Sequence, residues 1–221
     1  MITLALDAST YEGDVAVVEG ARILAEASAA MKRADRETLM PLVDEALRRA
    51  GAAAHAIDRV VCGAGPGSFT SLRIAASIAK GLALGLGKPL FAVPSLGLVV
   101  AGARLPAGRY VAALDALRGE LYVGLYLVDD AGETRELERA RLIEASALDG
   151  VASESEARVV TPLHIDGVIR GRPVASGVVH LSDWLERHGP VDVGAWEPAY
   201  GRLAEAQVRW ESAHGKPLPT G

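Results

Sequence analysis

The run Gly65-Pro66-Gly67-Ser68-Phe69-Thr70-Ser71-Leu72-Arg73-Ile74 constrains the fold of this chain more than any other stretch. It follows Arg59-Val60-Val61-Cys62-Gly63, which reads as a buried strand, and it opens an apolar stretch over 74–86 broken by Ser77 and Lys80. A strand, a tight glycine turn and a helix starting at a Ser or Thr cap together aim backbone N–H groups at a partner or an anion. Gly65 and Gly67 allow backbone angles or close approach that a side chain would block, and Pro66 stiffens the turn between them. The turn is not a Walker A loop: no G-K-[ST] follows, and Lys88 precedes Pro89. Nor is it a full G-x-G-x-x-G, because Thr70 stands where the third glycine belongs. A glycine turn that merely packs a helix onto a sheet fits these residues equally well.

The surrounding pattern is α/β. Residues 2–6, 14–18 and 22–27 read as three meandering strands, the last two joined by Glu19-Gly20-Ala21. Leu39, Leu42, Val43, Ala46, Leu47 and Ala50 recur at intervals of three and four, the stripe of an amphipathic helix. Gly51 is placed to end it, and Pro41 sets its regular start near Thr38. This stripe suits either the chain's own sheet or a partner. The helix after the glycine turn carries Leu72, Ala75, Ile78, Ala79 and Leu82 with little polar surface, so it must be covered on more than one face. Small residues at Ala75, Ala76, Ala79 and Ala83 would let another helix approach closely. Leu105-Pro106-Ala107-Gly108 separates the halves, giving lobes of 1–104 and 105–221. In the second half, 110–114, 121–128 and 134–142 read as strands, 181–188 as a helix capped by Ser182, and 203–213 as a terminal helix or tail. The sequence shows no internal repeat.

Several chemistries find no support. The histidines His55, His164, His180, His188 and His214 form no H-x-x-x-H or H-E-x-x-H pair, so no metal site is expected. Ser68 lacks a G-x-S-x-G elbow. Cys62 is the one cysteine and sits in an apolar strand, as a packed thiol would. Twenty-eight acidic residues against 23 basic ones leave a net charge of −5 and no basic stripe, so any contact with RNA is expected to be indirect. No export signal or bilayer-spanning run is read, which gives the expectation of a cytoplasmic protein without a membrane partner. Asp7 and Asp115 each end an expected strand, where α/β folds assemble ligand sites, although either could equally cap a turn.

Motifs spread along the chain resemble those of the TsaB (YeaZ) family, a component of bacterial tRNA threonylcarbamoyladenosine (t6A) synthesis. The glycine-turn run resembles the family's "GPGSFTGLRIG". Leu4-Ala5-Leu6-Asp7-Ala8-Ser9-Thr10, Leu39-Met40-Pro41-Leu42-Val43, Asp115-Ala116-Leu117-Arg118-Gly119-Glu120 and Pro198-Ala199-Tyr200-Gly201-Arg202 match further motifs in family order. Departures fall at Ala8, Asp35, Ser71 and Ala75. The resemblance implies an actin-like ATPase fold of two lobes, each with a mixed sheet and flanking helices. It implies a non-catalytic scaffold that binds a TsaD-like paralogue through the two helices, with Leu39, Leu42, Val43, Ala46, Leu47, Leu72, Ala75, Ile78, Ala79 and Leu82 at the interface. A TsaE-like ATPase is a further implied partner, and for the chain alone the sequence leaves both a monomer and a homodimer through the same helices open. No cofactor is expected of this chain, ATP or ADP being placed at the complex interface. In actin-like relatives the first hairpin cradles phosphate, which makes Asp7, Ser9, Thr10, Gly65, Gly67, Ser68 and Thr70 candidates for nucleotide contact. The competing reading is an actin-fold ATPase or small-molecule kinase using those residues.

Overall fold

The computed structural model describes residues 1–31 and 37–201. Arg202 of the last motif, the expected terminal segment over 203–213, His214 and the departure at Asp35 lie outside the described residues.

Strands β1 (Ile2–Asp7), β2 (Glu12–Glu19) and β3 (Arg22–Ala30) form an antiparallel meander. β4 (Arg59–Gly63) pairs parallel to β1, and β5 (Leu90–Val93) parallel to β4, giving the order β3-β2-β1-β4-β5. β1 is covered on both faces, so its side chains from Thr3 to Asp7 are buried on both sides of the strand. Leu4 and Leu6 face the helices α1 (Leu39–Ala50) and α2 (Phe69–Leu86). Ala5 faces α3 (Ser95–Gly102), which separates this sheet from a second one.

The second sheet repeats the plan of the first. β6 (Gly108–Asp115), β7 (Glu120–Val128) and β8 (Thr134–Glu144) meander, and β9 (Arg158–Thr161) and β10 (Ile169–Arg170) add in parallel on the other side of β6. Its order, β10-β9-β6-β7-β8, is the first sheet's order with five added to every strand number. A helix α4 (Leu148–Glu154) covers its outer face. α3 serves both sheets: Leu98 and Ala101 pack toward the first, Leu96, Val99 and Val100 toward the second. The charges that weaken the strand pattern of β8 have a simple cause. β8 is an edge strand and most of it is exposed.

The chain then returns to the first sheet. A 3₁₀ turn (Ala175–His180) and α5 (Ser182–His188) pack beside α3 and β5, and Val191 donates its N–H to Leu90 O. Residues of the expected second lobe, 105–221, therefore divide between the two sheets.

The helix faces differ from expectation in an informative way. Leu39, Leu42, Val43, Ala46 and Leu47 are all buried against the chain's own sheet, as are Ala75, Ala79 and Ala83, and Leu72 and Ala76 are buried as well. They are not open to a partner in this chain. The sheet needs them, because the alternating face Leu4, Leu6, Val15 and Val17 would otherwise meet water. Ile78 and Leu82 are half-buried at the edge of the same core.

Local details follow capping physics. Pro41 sits in the first turn of α1, where its missing N–H is no loss. Thr38 precedes the helix, but the Glu37 carboxylate accepts the N–H groups of Leu39 and Met40 instead. Ser182 does not cap α5; it is the first helical residue, and its hydroxyl donates to Glu133 Oε2 at 2.7 Å. α2 begins right after Ser68, so it is longer than the apolar stretch over 74–86, and by length and composition alone it could cross a bilayer; here one face lies on the sheet.

Candidate functional site at the ends of β1 and β4

The parallel strands β1 and β4 end side by side, and two loops leave from there: residues 8–11 and the glycine turn 64–68. Asp7, the last residue of β1, is 1% exposed. Its Oδ1 accepts the Ser9 N–H (2.8 Å) and the Ser9 hydroxyl (2.7 Å). Its Oδ2 accepts the Ser95 hydroxyl at 2.5 Å, and Ser95 Oγ in turn accepts the Gly65 N–H at 3.0 Å. Burial still dominates these bonds and pushes the Asp7 carboxyl above its ordinary range. The same burial, with the Asp7 charge nearby, pushes the Cys62 thiol up, which fits a packed, unreactive sulfur.

Close approach explains two glycines. A Cβ on Gly63 would overlap the Asp7 carboxylate, and one on Gly67 would overlap the Ser9 carbonyl. Ser68 donates its N–H to Ser9 O at 2.7 Å. The glycine turn is therefore seated directly on the β1–β2 loop. Ala199 closes it from outside, donating its N–H to Ala64 O at 2.8 Å. Tyr200 continues over the start of α2, its ring 4.5 Å from that of Phe69.

Beside Asp7 lies a second buried acid that sequence reasoning missed. Asp14 is the register partner of Asp7 across β1 and β2. It accepts Arg172 Nη1 and the Ala175 N–H, both at 2.7 Å. Burial, and to a lesser degree the Asp7 charge, raises its carboxyl despite the guanidinium. An acid at the head of the apolar run Val15-Ala16-Val17-Val18 was the available signal for Asp14. For Ser95 and Arg172 the sequence carried none, since each bond spans a long stretch of chain.

Of the candidate nucleotide residues, the fold brings together Asp7, Ser9, Gly65, Gly67 and Ser68. Thr10 is engaged in its own turn with the Glu12 backbone, and Thr70 is exposed on the first turn of α2. Asp115 is exposed and accepts the Leu117 N–H at 2.8 Å, the turn-capping alternative. The departures are accommodated: Ala8 and Ala75 are fully buried, and Ser71 Oγ lies 3.1 Å from Ser68 Oγ. Among the described residues no three His, Cys, Asp or Glu side chains are grouped to hold a metal ion. The arrangement is a packed joint between two loops. Its acids are held by the chain's own donors.

Two mixed sheets of identical strand order, flanked by helices and carrying an aspartate at the end of the first strand, define an actin-like ATPase fold. A family model described as TsaD, tRNA N6-adenosine threonylcarbamoyltransferase, matches residues 22–169. The tRNA threonylcarbamoyladenosine biosynthesis protein TsaB of Bacillus subtilis is 29% identical over 228 residues, covering 95% of this chain and 98% of that protein. The Escherichia coli TsaB is 35% identical over 134 residues, 60% of this chain and 58% of that protein. The solved structure of YeaZ from Pseudomonas aeruginosa superposes with a TM-score of 0.73 at 28% identity, covering 90% of this chain and 99% of that one. The chain belongs to the TsaB (YeaZ) family.

Proposed function

We propose that this protein is a non-catalytic scaffold of tRNA threonylcarbamoyladenosine synthesis, docking on a TsaD-like transferase through the outward faces of α1 and α2. The names of its relatives supply the pathway. One observation carries the docking surface. The outer face of α2 presents Ser77, Gly81, Leu84 and Gly85, with Leu84 70% exposed. A Cβ at Gly81 or Gly85 would meet nothing within 4 Å. Each glycine costs a helix interior about 1 kcal/mol relative to alanine, and none of the described residues requires it. Close approach of a partner helix does. This face replaces the buried stripe as the contact surface, with Ile78 and Leu82 at its border.

The seated glycine turn supports the absence of catalysis by this chain, because the Ser68 N–H and both Asp7 oxygens are already engaged. ATP or ADP then belongs to the assembled complex, with a TsaE-like ATPase as a further partner and tRNA held mainly by the others. Alone, the exposed α2 face favours a homodimer.

The test is reconstitution of the modification from the transferase, the adenylate-forming enzyme, the TsaE-like ATPase, threonine, bicarbonate, ATP and substrate tRNA. Modified adenosine, read by mass spectrometry, is expected only when this chain is present. Undiminished product without it, together with ATP turnover by the isolated chain that Asp7→Ala abolishes, would establish the kinase reading instead.

A further inference from the structure

We infer that residues 172–185 are an internal lock that ties the two sheets together, making this actin-like fold a rigid body rather than one that opens and closes on a small ligand. This inference stands apart from the choice of partner and pathway.

The lock grips the first sheet at two points. Arg172 and the Ala175 N–H hold Asp14 on β2, and Arg172 Nη2 also lies 3.6 Å from Glu12. Trp184 donates its indole N–H to Ala92 O on β5 at 2.9 Å. The same segment grips the second sheet at the β7–β8 turn. There Glu133 accepts the Ser182 hydroxyl and the Asp183 N–H, each at 2.7 Å, and Arg135 pairs with Asp183 at 3.2 Å. Between these grips Ala175, Val178, Leu181 and Leu185 are buried in one core with Ala5, Ala16 and Val18 of the first sheet and with Leu98 and Ala101 of α3.

Backbone fit is close along the segment. A Cβ on Gly102 would come within 2.8 Å of the Val174 side chain, and one on Gly177 within 2.9 Å of the Gly102 nitrogen. Enzymes that close over a ligand use hinges that rearrange at small cost. Here, moving one sheet against the other breaks charge-assisted bonds to a buried carboxylate and uncovers an apolar core. Opening thus becomes nearly as costly as unfolding.

Native-state hydrogen exchange by mass spectrometry tests this on the unmodified chain. Peptides covering Ala175, Leu181 and Leu185 should exchange within about tenfold of peptides from β1 and β4, as a unit that opens only with the whole fold. Exchange in the segment about 100-fold or more faster than in β1, insensitive to low denaturant, would mean local opening and overturn the lock. Added Mg-ATP should leave exchange at residues 7–13 and 63–69 unchanged; marked slowing there would reveal ligand-driven closure and also overturn it. In Arg172→Ala combined with Glu133→Gln, the segment should lose protection at least tenfold while β1 keeps its own. The measurement on the unmodified protein decides the matter even where that variant does not fold.

Discussion

Asp7 holds its charge in a place that resists charge. Three donors face it, yet desolvation outweighs them and the folded carboxyl titrates above its unfolded value. The native state therefore binds the proton more readily than the unfolded chain. Stability contributed by this group falls as pH rises from the ordinary carboxylate value through the raised one. Asp7→Asn keeps an acceptor for Ser9 and a polar contact to Ser95 while removing the charge. It should melt higher than the parent at neutral pH, with the gap closing as pH drops toward 4. A variant that melts lower at neutral pH would mean the ionised form is worth its burial. Gly67→Ala makes the opposite change at the facing loop. Its methyl would overlap the Ser9 carbonyl, a backbone atom that cannot swing aside. Overpacking of this kind costs about 1–3 kcal/mol, or roughly 2–12 °C of melting temperature in a chain of this size. An unchanged melting curve would show that the two loops part without penalty.

At the scale of the element, α2 separates two uses of a glycine or small residue. Gly81 and Gly85 face open space, so replacing both with alanine should stabilise the free chain by about 1 kcal/mol each, or roughly 4–8 °C together. Gly85→Leu should leave the free chain folded and abolish co-elution with a TsaD-like partner on size exclusion; retained co-elution would move the interface elsewhere. The periodicity of α1 made its existence, its start near Thr38 and its end at Gly51 legible in the sequence. The direction of its stripe was not, because a 3.6-residue period records that a face is covered and not what covers it. α2 is apolar nearly all round, and the small residues that suggested a helix contact, Ala75 and Ala79, sit on β1 and β4 instead. Its outward face mixes Ser77, Gly81 and Gly85 with the exposed Leu84, so no hydrophobic stripe marks it in the sequence. β8 was read over 134–142 in spite of its charges, which an edge strand exposed along most of its length tolerates because it needs no alternation.

Across the whole molecule, β1 to β4 of the first sheet were readable from strand patterns and the motifs at their ends, whereas the short β5 and the duplication were not. The second sheet reproduces the strand order with different filling, using Tyr110, Tyr122 and Tyr126 where the first uses Leu, Val and Ala, so no repeat survives in the residues. The joint between Asp14 and Arg172 spans 158 positions, beyond any local signal. Such long-range bonds make α3 and the returning segment common property of both sheets, and cooperativity should follow. Trp184 and Trp196 both lie on the returning segment, the second with the Lys80 amine 5.9 Å from its ring. In a Trp210→Phe background their fluorescence reports on that segment alone, while far-ultraviolet circular dichroism reports on the sheets and helices. Denaturant unfolding followed by the two signals should give coincident midpoints and slopes, the behaviour of one cooperative unit. A fluorescence midpoint at clearly lower denaturant would mean that the segment detaches first and the two sheets unfold without it.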